Sequence, residues 1–451
     1  MPPSNAFRLS RREWIKLSAA GVLGAGLSGW MEPLARAAGQ DKDRKRSCIL
    51  LWMSGGPSTI DLWDLKVGHK NGGPYKEIDT KVAGIKISQH LPKLAEWTDR
   101  MAIIRSMNTK EGDHGRGTHL MHTGYLPLAG IRYPTVGSLV SKELGSDEAV
   151  LPNFVSIAPY RFFSAAAYSS GFLGPEHEAL IIADNYGAFG QQTSGLEYID
   201  NTLKVKDLAP SGNVAKEHQD ARLELLQGLE KEFAQRRPDA PAKSHQTAYE
   251  RAVRLMRTSA AKAFNLGEEK KETRELYGTN LFGQSCLLAR RLVESGVSFV
   301  EVNLGGVNGG AFGWDTHGNN FETVKQLSGV LDAGWSALMT DLKNKGLLDT
   351  TTIVWMGEFG RTPEIVNNNG RNHWATSWAT VLAGGGIKGG QVVGKTSDDG
   401  REVKERPVTA GDLMATLVTA LGIDPKKSNR SNAGRPIDIA DKTAKVIKEI
   451  V

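Results

Sequence analysis

Four polar stretches gather five of the ten histidines of the sequence, and each follows a run of apolar residues of strand length. They hold Asp61 and Asp64; Asp113, His114, Thr118, His119 and His122; Asp315 and His317; and Glu358, Arg361 and His373. Histidine mixed with carboxylate suits Zn, Mn or Fe, whereas carboxylates with few histidines would suit Ca or Mg. If a helix begins near Asp113, then His114, Thr118 and His122 share one face and His119 projects about 100° from Thr118. The start of such a helix would also offer unpaired amides to an anion. Asp315 and His317 could reach one ion together or form a hydrogen-bonded turn closed by Gly318. Arg361 has the planar fork that grips phosphate or sulfate oxygens, and it could equally pair with Glu358. Asp61 is a site candidate because it lies beyond the first strand, Asp64 is a candidate turn former, and His122 reads as packing.

These positions matter because ligands of open α/β sheets bind beyond the carboxyl ends of the strands. Strands are expected at Cys48–Met53, Met101–Ser106, Asn153–Ile157, Ala179–Ala183, Val297–Asn303, Thr351–Met356 and Trp378–Ala383. Unbroken apolar runs such as CILLWM fit strands buried on both faces. Helices are expected at Gln89–Thr98, Thr135–Leu144, Thr279–Glu294 and Phe321–Lys345, with a capped one running from Thr409 to Gly422. Residues 214–278 read as a helical insertion, with apolar residues at three and four spacing (Leu223, Leu226, Leu229, Phe233). Strand and helix alternate over most of the length, so the expected architecture is a layered α/β sheet. The Gly-rich stretches Gly305–Gly313 and Gly384–Gly390 lack the phosphate-loop and dinucleotide patterns and read as turns.

Residues 1–37 form an expected export signal. Ser10, Arg11, Arg12, Glu13, Trp14, Ile15 and Lys16 spell a twin-arginine signal, a weakly apolar run follows from Leu17 to Met31, and Ala35, Arg36, Ala37 fit a cleavage site. That run is too short and glycine-rich to span a bilayer, so no membrane span is expected in the mature chain. Periplasmic or secreted location and passage through the twin-arginine translocase follow as expectations. Residues 38–46 read as a flexible charged leader, and 47–451 as the α/β domain. The signal carries +3 of the chain's formal +6, and the remaining +3 is too near neutral to argue for nucleic acid. Cys48 and Cys286 read as buried small hydrophobes.

The stretches CILLWMSGGPSTIDLWDLK (48–66), DHGRGTHLMHTGYLP (113–127), GWDTHGNN (313–320), GEFGRTP (357–363) and GRNHWATSWATVLAGGGIKGGQVVG (370–394) resemble the exported bacterial family called domain of unknown function 1501. That family is similar to the alkaline phosphatase and sulfatase superfamily. The resemblance implies a three-layer alkaline-phosphatase/sulfatase-like fold with a central mixed β-sheet. It also implies divalent metal ligands at Asp61, Asp315, His317, Glu358 and His373. The superfamily's nucleophile position falls on His114, not on a hydroxyl or thiol, which leaves a metal-activated water or an atypical nucleophile. His114, His119, Thr118 and Arg361 are then the expected catalytic residues, with His114 or His119 as base or ligand and Arg361 on the anion. The expected activity is hydrolysis of phosphate or sulfate esters, on a small anionic ester or a sulfated or phosphorylated glycan. The alternative is a non-catalytic sulfatase-like fold that binds a polysaccharide or an envelope partner.

Overall fold

The strand Ser47–Trp52 (β1) lies at the centre of an eight-stranded sheet, and its alternating side chains feed two separate cores. Ile49 and Leu51 face one core, and Cys48, Leu50 and Trp52 face the other. This is why the run is apolar at every position. The computed structural model describes residues 46–451 except 147, 185–194, 207–215, 237–249, 251, 257–258 and 307–311. The expected export signal and residues 38–45 of the leader lie outside the described residues.

The other strands of the main sheet are Met101–Met107 (β2), Phe154–Ile157 (β3), Leu180–Ile182 (β4), Phe299–Asn303 (β5), Thr351–Met356 (β6), Trp378–Gly384 (β7) and Gln391–Val393 (β8). Their spatial order is β8-β2-β7-β6-β1-β5-β3-β4. β7 runs antiparallel to both β2 and β6, and every other pairing is parallel. The sheet is therefore mixed. Its one reversed strand begins at the edge where β1, β2, β5 and β6 end.

Helices cover both faces. His114–Thr123 (α1), Val136–Leu144 (α2) and Ala410–Ala420 (α5) lie over the core of Leu50 and Trp52, and Leu281–Glu294 (α3) and Asn320–Asn344 (α4) over that of Ile49 and Leu51. This is the expected three-layer α/β fold. α5 starts in a reciprocal cap, with Thr409 and Asp412 each bonding the other's backbone amide. Cys48 and Cys286 are both free and buried, as expected.

Two segments differ from expectation. Gln89–Thr98 holds only a four-residue helix, Pro92–Ala95, followed by the tight turn Thr98–Arg100. In the insertion, the helix Lys216–Arg236 leaves Leu226 and Leu229 of the expected apolar face exposed. Among the described residues, no helix is long and apolar enough to cross a membrane.

Candidate metal centre

The strand ends bring His114, Asp315 and His373 together, with His317 against the last two. α1 begins at His114 after β2, with Asp113 as its cap accepting from the Arg116 amide at 3.0 Å. The loop after β5 supplies Asp315 and His317. His373 sits in a short strand, His373–Trp374, which pairs with Gly360–Arg361 just before the reversed β7. Because β7 starts at this edge, the residue preceding it can meet residues that follow parallel strands.

Two glycines allow these loops to touch. Gly55 has φ +114°, and a Cβ there would overlap the backbone of Asp315. A Cβ at Gly370 would overlap the carbonyl of His317. The loops are further joined by the Arg371 amide donating to Thr316 O at 2.9 Å and the Asn319 amide to Asn368 O at 2.8 Å.

His317 Nε2 lies 3.0 Å from His373 Nε2 and 3.1 Å from Asp315 Oδ1. His373 Nε2 is 3.3 Å from Asp315 Oδ1, and His114 Nε2 is 3.5 Å from Asp315 Oδ2. Among the described residues, His114, Asp315 and His373 form a set whose donor atoms all lie within 4.8 Å of one another. Four ligands on an ion at roughly 2.0–2.1 Å in a tetrahedron are about 3.3 Å apart, so these separations have the size of coordination edges.

The far side of each ring fixes which nitrogen is free. Nδ1 of His114 faces Glu358 Oε1 at 2.8 Å, Nδ1 of His317 faces Asn372 Oδ1 at 2.9 Å, and Nδ1 of His373 faces Gly112 O at 2.7 Å. Each partner is an acceptor, so each Nδ1 carries the proton and each Nε2 presents a lone pair inward. The His317 and His373 lone pairs, 3.0 Å apart beside the Asp315 carboxylate, repel unless a cation or a proton is shared between them. His114 Nε2 is buried without a hydrogen-bond partner. The residues present therefore fit a divalent ion.

In the metal-free protein the electrostatics follow the same pattern. Burial alone would lower the His114 pKa, but the nearby Asp315 carboxylate and the hydrogen bond to Glu358 outweigh burial and raise it. Burial would raise that of Asp315, yet His114, His373 and Arg361 hold it well below the usual carboxylate range. Solvent reaches the group through His317, which is half exposed, while His114 is enclosed by Phe163, Phe312 and Phe359 at 4.3–5.5 Å between ring centroids.

Several expected site residues have other roles here. Asp61, expected as a ligand, is fully buried and paired with Arg371 through two hydrogen bonds of 2.8 and 2.9 Å, with Ser58 and Asn320 as further donors. That corrects the expectation: all its acceptor capacity is spent away from the group. Glu358, also an expected ligand, instead holds the proton of His114 Nδ1 and takes the Gly55 amide at 2.9 Å. Arg361 is buried and donates to Gly55 O, Gly56 O, Arg371 O and Asp315 Oδ1, so its guanidinium is not free for an anion. Thr118 and His119 lie outside the group. The carbonyl of Thr118 accepts from His122, and His119 Nδ1 donates to Tyr125 O at 3.1 Å. Burial lowers the His119 pKa. His114 joins Asp315, His317 and His373 as a candidate ligand.

Sequence reasoning placed Arg371 in the polar loop after Thr351–Met356 and noted the Asn372–His373 pair without giving either a partner, and it did not find Gly112. The Asn372–His373 adjacency was a usable signal, because an amide side chain beside a ligand can orient another imidazole; Gly112 and Arg371 act through contacts that spacing does not encode. A cavity of about 740 Å³ adjoins the group across Phe163, lined among others by Arg116, His119, Arg132, Tyr133 and Ser164. The exposed Leu128 and Phe163 lie on it, with the exposed Leu126 and Phe162 next to them in the chain.

Solved structures with a similar fold include PsFucS1 sulfatase from Pseudoalteromonas sp., with 13% identity, covering 88% of this chain and 72% of that one, at a TM-score of 0.41. A protein in the alkaline phosphatase superfamily from Vibrio parahaemolyticus is 12% identical, covering 88% and 76%, at 0.40. The phosphonate monoester hydrolase of Agrobacterium radiobacter is 12% identical, covering 85% and 75%, at 0.36. At identities and scores this low the likeness extends to the layered architecture alone. No curated protein matches the sequence. The profile described as "Protein of unknown function (DUF1501)" matches residues 45–451, nearly the whole chain, and the protein belongs to that family.

Proposed function

We propose that this protein is a metal-dependent hydrolase of phosphate or sulfate esters. The observation that carries the reading is the set of His114, Asp315 and His373, whose donor atoms lie within 4.8 Å of one another, with His317 Nε2 against the last two and every Nδ1 held by an acceptor. His114, Asp315, His317 and His373 would hold the ion. Three imidazoles and one carboxylate favour Zn, Mn or Fe over Ca, which takes six to eight oxygens. A bound ion of this kind supplies electrophilic polarisation of a substrate oxygen and acidifies water.

The chain's own residues do the rest. Glu358 fixes the tautomer of His114, and Arg361 keeps Asp315 ionised and aimed inward. Phe163, Phe312 and Phe359 exclude water from the inner side of the group, which strengthens each charge interaction there. The cavity beyond Phe163 would take the rest of the substrate, such as a glycan ring against Tyr133 and Phe163 with a further anionic group at Arg132. Export by the twin-arginine route, supported by residues 10–37 of the sequence, would place this activity in the periplasm or outside the cell.

The test is to supply the purified protein with Zn, Mn or Fe and assay aryl phosphate, sulfate and phosphonate monoesters. Turnover by the wild type and its loss in His317→Ala and Asp315→Asn is the expected result. Full metal loading with no ester hydrolysed would sink the hydrolase reading and leave binding of an anionic polysaccharide or envelope partner.

A further inference from the structure

α1 closes on Gly124, whose φ of +77° turns the chain back so that the Tyr125 carbonyl meets His119 Nδ1 at 3.1 Å. Thr123 stands beside the same edge of the ring, and its hydroxyl spends its proton on the carbonyls of His119 and Tyr125, at 2.7 and 3.0 Å. Nδ1 therefore faces acceptors and carries the ring proton, which leaves a lone pair on Nε2. Burial leads the influences on this imidazole and holds its pKa below the ordinary value, so the ring is uncharged at neutral pH.

That lone pair has no partner in the protein. His119 is only 6% exposed, yet its Nε2 makes no hydrogen bond among the described residues and is not an enclosed atom, so the small opening left to the ring includes it. The opening gives onto the cavity of about 740 Å³ beside Phe163, which His119 lines. Leu128, Ile131 and Phe163 present apolar surface there, and Tyr133 is held edge-on to His119 by stacking on Tyr125, with centroids 6.3 and 4.5 Å away. Arg132 is exposed on the same cavity and has no acidic partner among the described residues, whereas Arg116 is held by Glu111 at 2.6 and 2.9 Å.

A neutral acceptor fixed in one tautomer selects a ligand that brings an O–H or N–H, apolar walls select C–H faces, and an unpaired guanidinium selects an anion. A saccharide ring with an acidic substituent carries all three. We propose that His119 is a substrate-binding residue, its Nε2 accepting from a ring hydroxyl of a saccharide in this cavity while Arg132 takes a second anionic group on that saccharide. A site that spends a buried acceptor on a hydroxyl discriminates against rings that lack one. That the bound saccharide carries the scissile ester rests on the hydrolase reading; its binding does not.

The test titrates metal-free, ¹⁵N-histidine-labelled mature protein with the methyl glycosides of glucuronic acid, galacturonic acid and sulfated galactose. Cyclohexanecarboxylate, which keeps a ring and an anion but no hydroxyl, is the comparison. The readouts are the His119 Nε2 resonance in the wild type and the dissociation constant by calorimetry in wild type, His119→Phe and His119→Gln. At least one glycoside should shift the resonance, and His119→Phe should weaken its binding about 10-fold. His119→Gln, which keeps an acceptor, should recover most of that loss, and cyclohexanecarboxylate should leave the resonance in place. Should His119→Phe fail to fold, the contrast between the glycosides and cyclohexanecarboxylate on the wild-type resonance decides alone. Glycosides that bind in this way while the metal-loaded protein hydrolyses none of their sulfate or phosphate esters would uphold the saccharide site and remove the hydrolase reading. No glycoside that moves the resonance, or an equal shift with cyclohexanecarboxylate, overturns the proposal.

Discussion

His317 and His373 face each other across 3.0 Å through their Nε2 atoms, while Asn372 and Gly112 occupy the Nδ1 side of each ring. Two unprotonated nitrogens so placed repel unless a cation or a shared proton lies between them. Asp315 stands 3.1 and 3.3 Å from the same two atoms and supplies the negative charge a divalent ion needs. The ligands come from loops 56 residues apart in the chain, so the group exists only when those loops are assembled.

Asp61 and Asp315 should respond to substitution in opposite ways. Asp61→Asn leaves the guanidinium of Arg371 buried and uncompensated, which costs roughly 3–5 kcal/mol, and it should lower the melting temperature while the surviving folded protein keeps its metal. Asp315→Asn should abolish metal binding. Thermal unfolding and elemental analysis of both variants check the contrast; loss of metal only in Asp61→Asn would reverse the assignment.

Glu358→Gln should weaken metal binding by roughly 10–100-fold without removing a ligand, as expected for a carboxylate behind an imidazole. Chelator competition measures it. Complete loss of stoichiometric metal would instead return Glu358 to the ligand set.

Stability of the metal-free protein should pass through a window of pH. His114 has a raised pKa when folded, so its contribution is complete below the unfolded value near ~6.5 and is lost as pH rises through the folded value. Asp315 is depressed, so its contribution is present above roughly 3.9 and is lost as pH falls through the folded value. Melting temperature in chelator should therefore be best supported by this pair between about 4 and 6.5. His114→Asn should flatten the alkaline side. Metal affinity should rise with pH over that same side, because the ion displaces the proton.

The cavity assignment predicts a split in kinetic constants. Arg132→Ser should raise KM for an ester with an anionic leaving group several-fold and change kcat by less than about twofold, as loss of uniform binding does. A fall in kcat with KM unchanged would place Arg132 elsewhere in the reaction.

Much of the fold was legible because its central strands are unbroken apolar runs such as CILLWM and TTIVWM, which only a two-sided sheet explains. The edge strand Gln391–Val393 was not, since three residues carry no period. Pro92 marks a helix start, yet the helix ends within one turn, so spacing at Leu91, Leu94 and Ala95 overstated it. In the candidate site, Asp315, His317 and His373 could be singled out because histidine and carboxylate followed apolar strands. Asp61 looked the same in sequence as Asp315. What separates them is that Arg371, 310 residues away, takes both oxygens of Asp61 while Arg361 takes one of Asp315, and spacing says nothing about which arginine an aspartate meets. Arg361 misled for the same reason: its fork suits an anion, and backbone carbonyls of the first loop occupy it.

The most direct test of the metal centre is elemental analysis of protein exported through its own signal and purified without chelator, beside His317→Ala and His373→Ala. About one equivalent of Zn, Mn or Fe in the wild type, lost in both variants while they remain folded, is the predicted result. A folded wild type that stays metal-free after exposure to all three ions, or variants that retain the full equivalent, would contradict it.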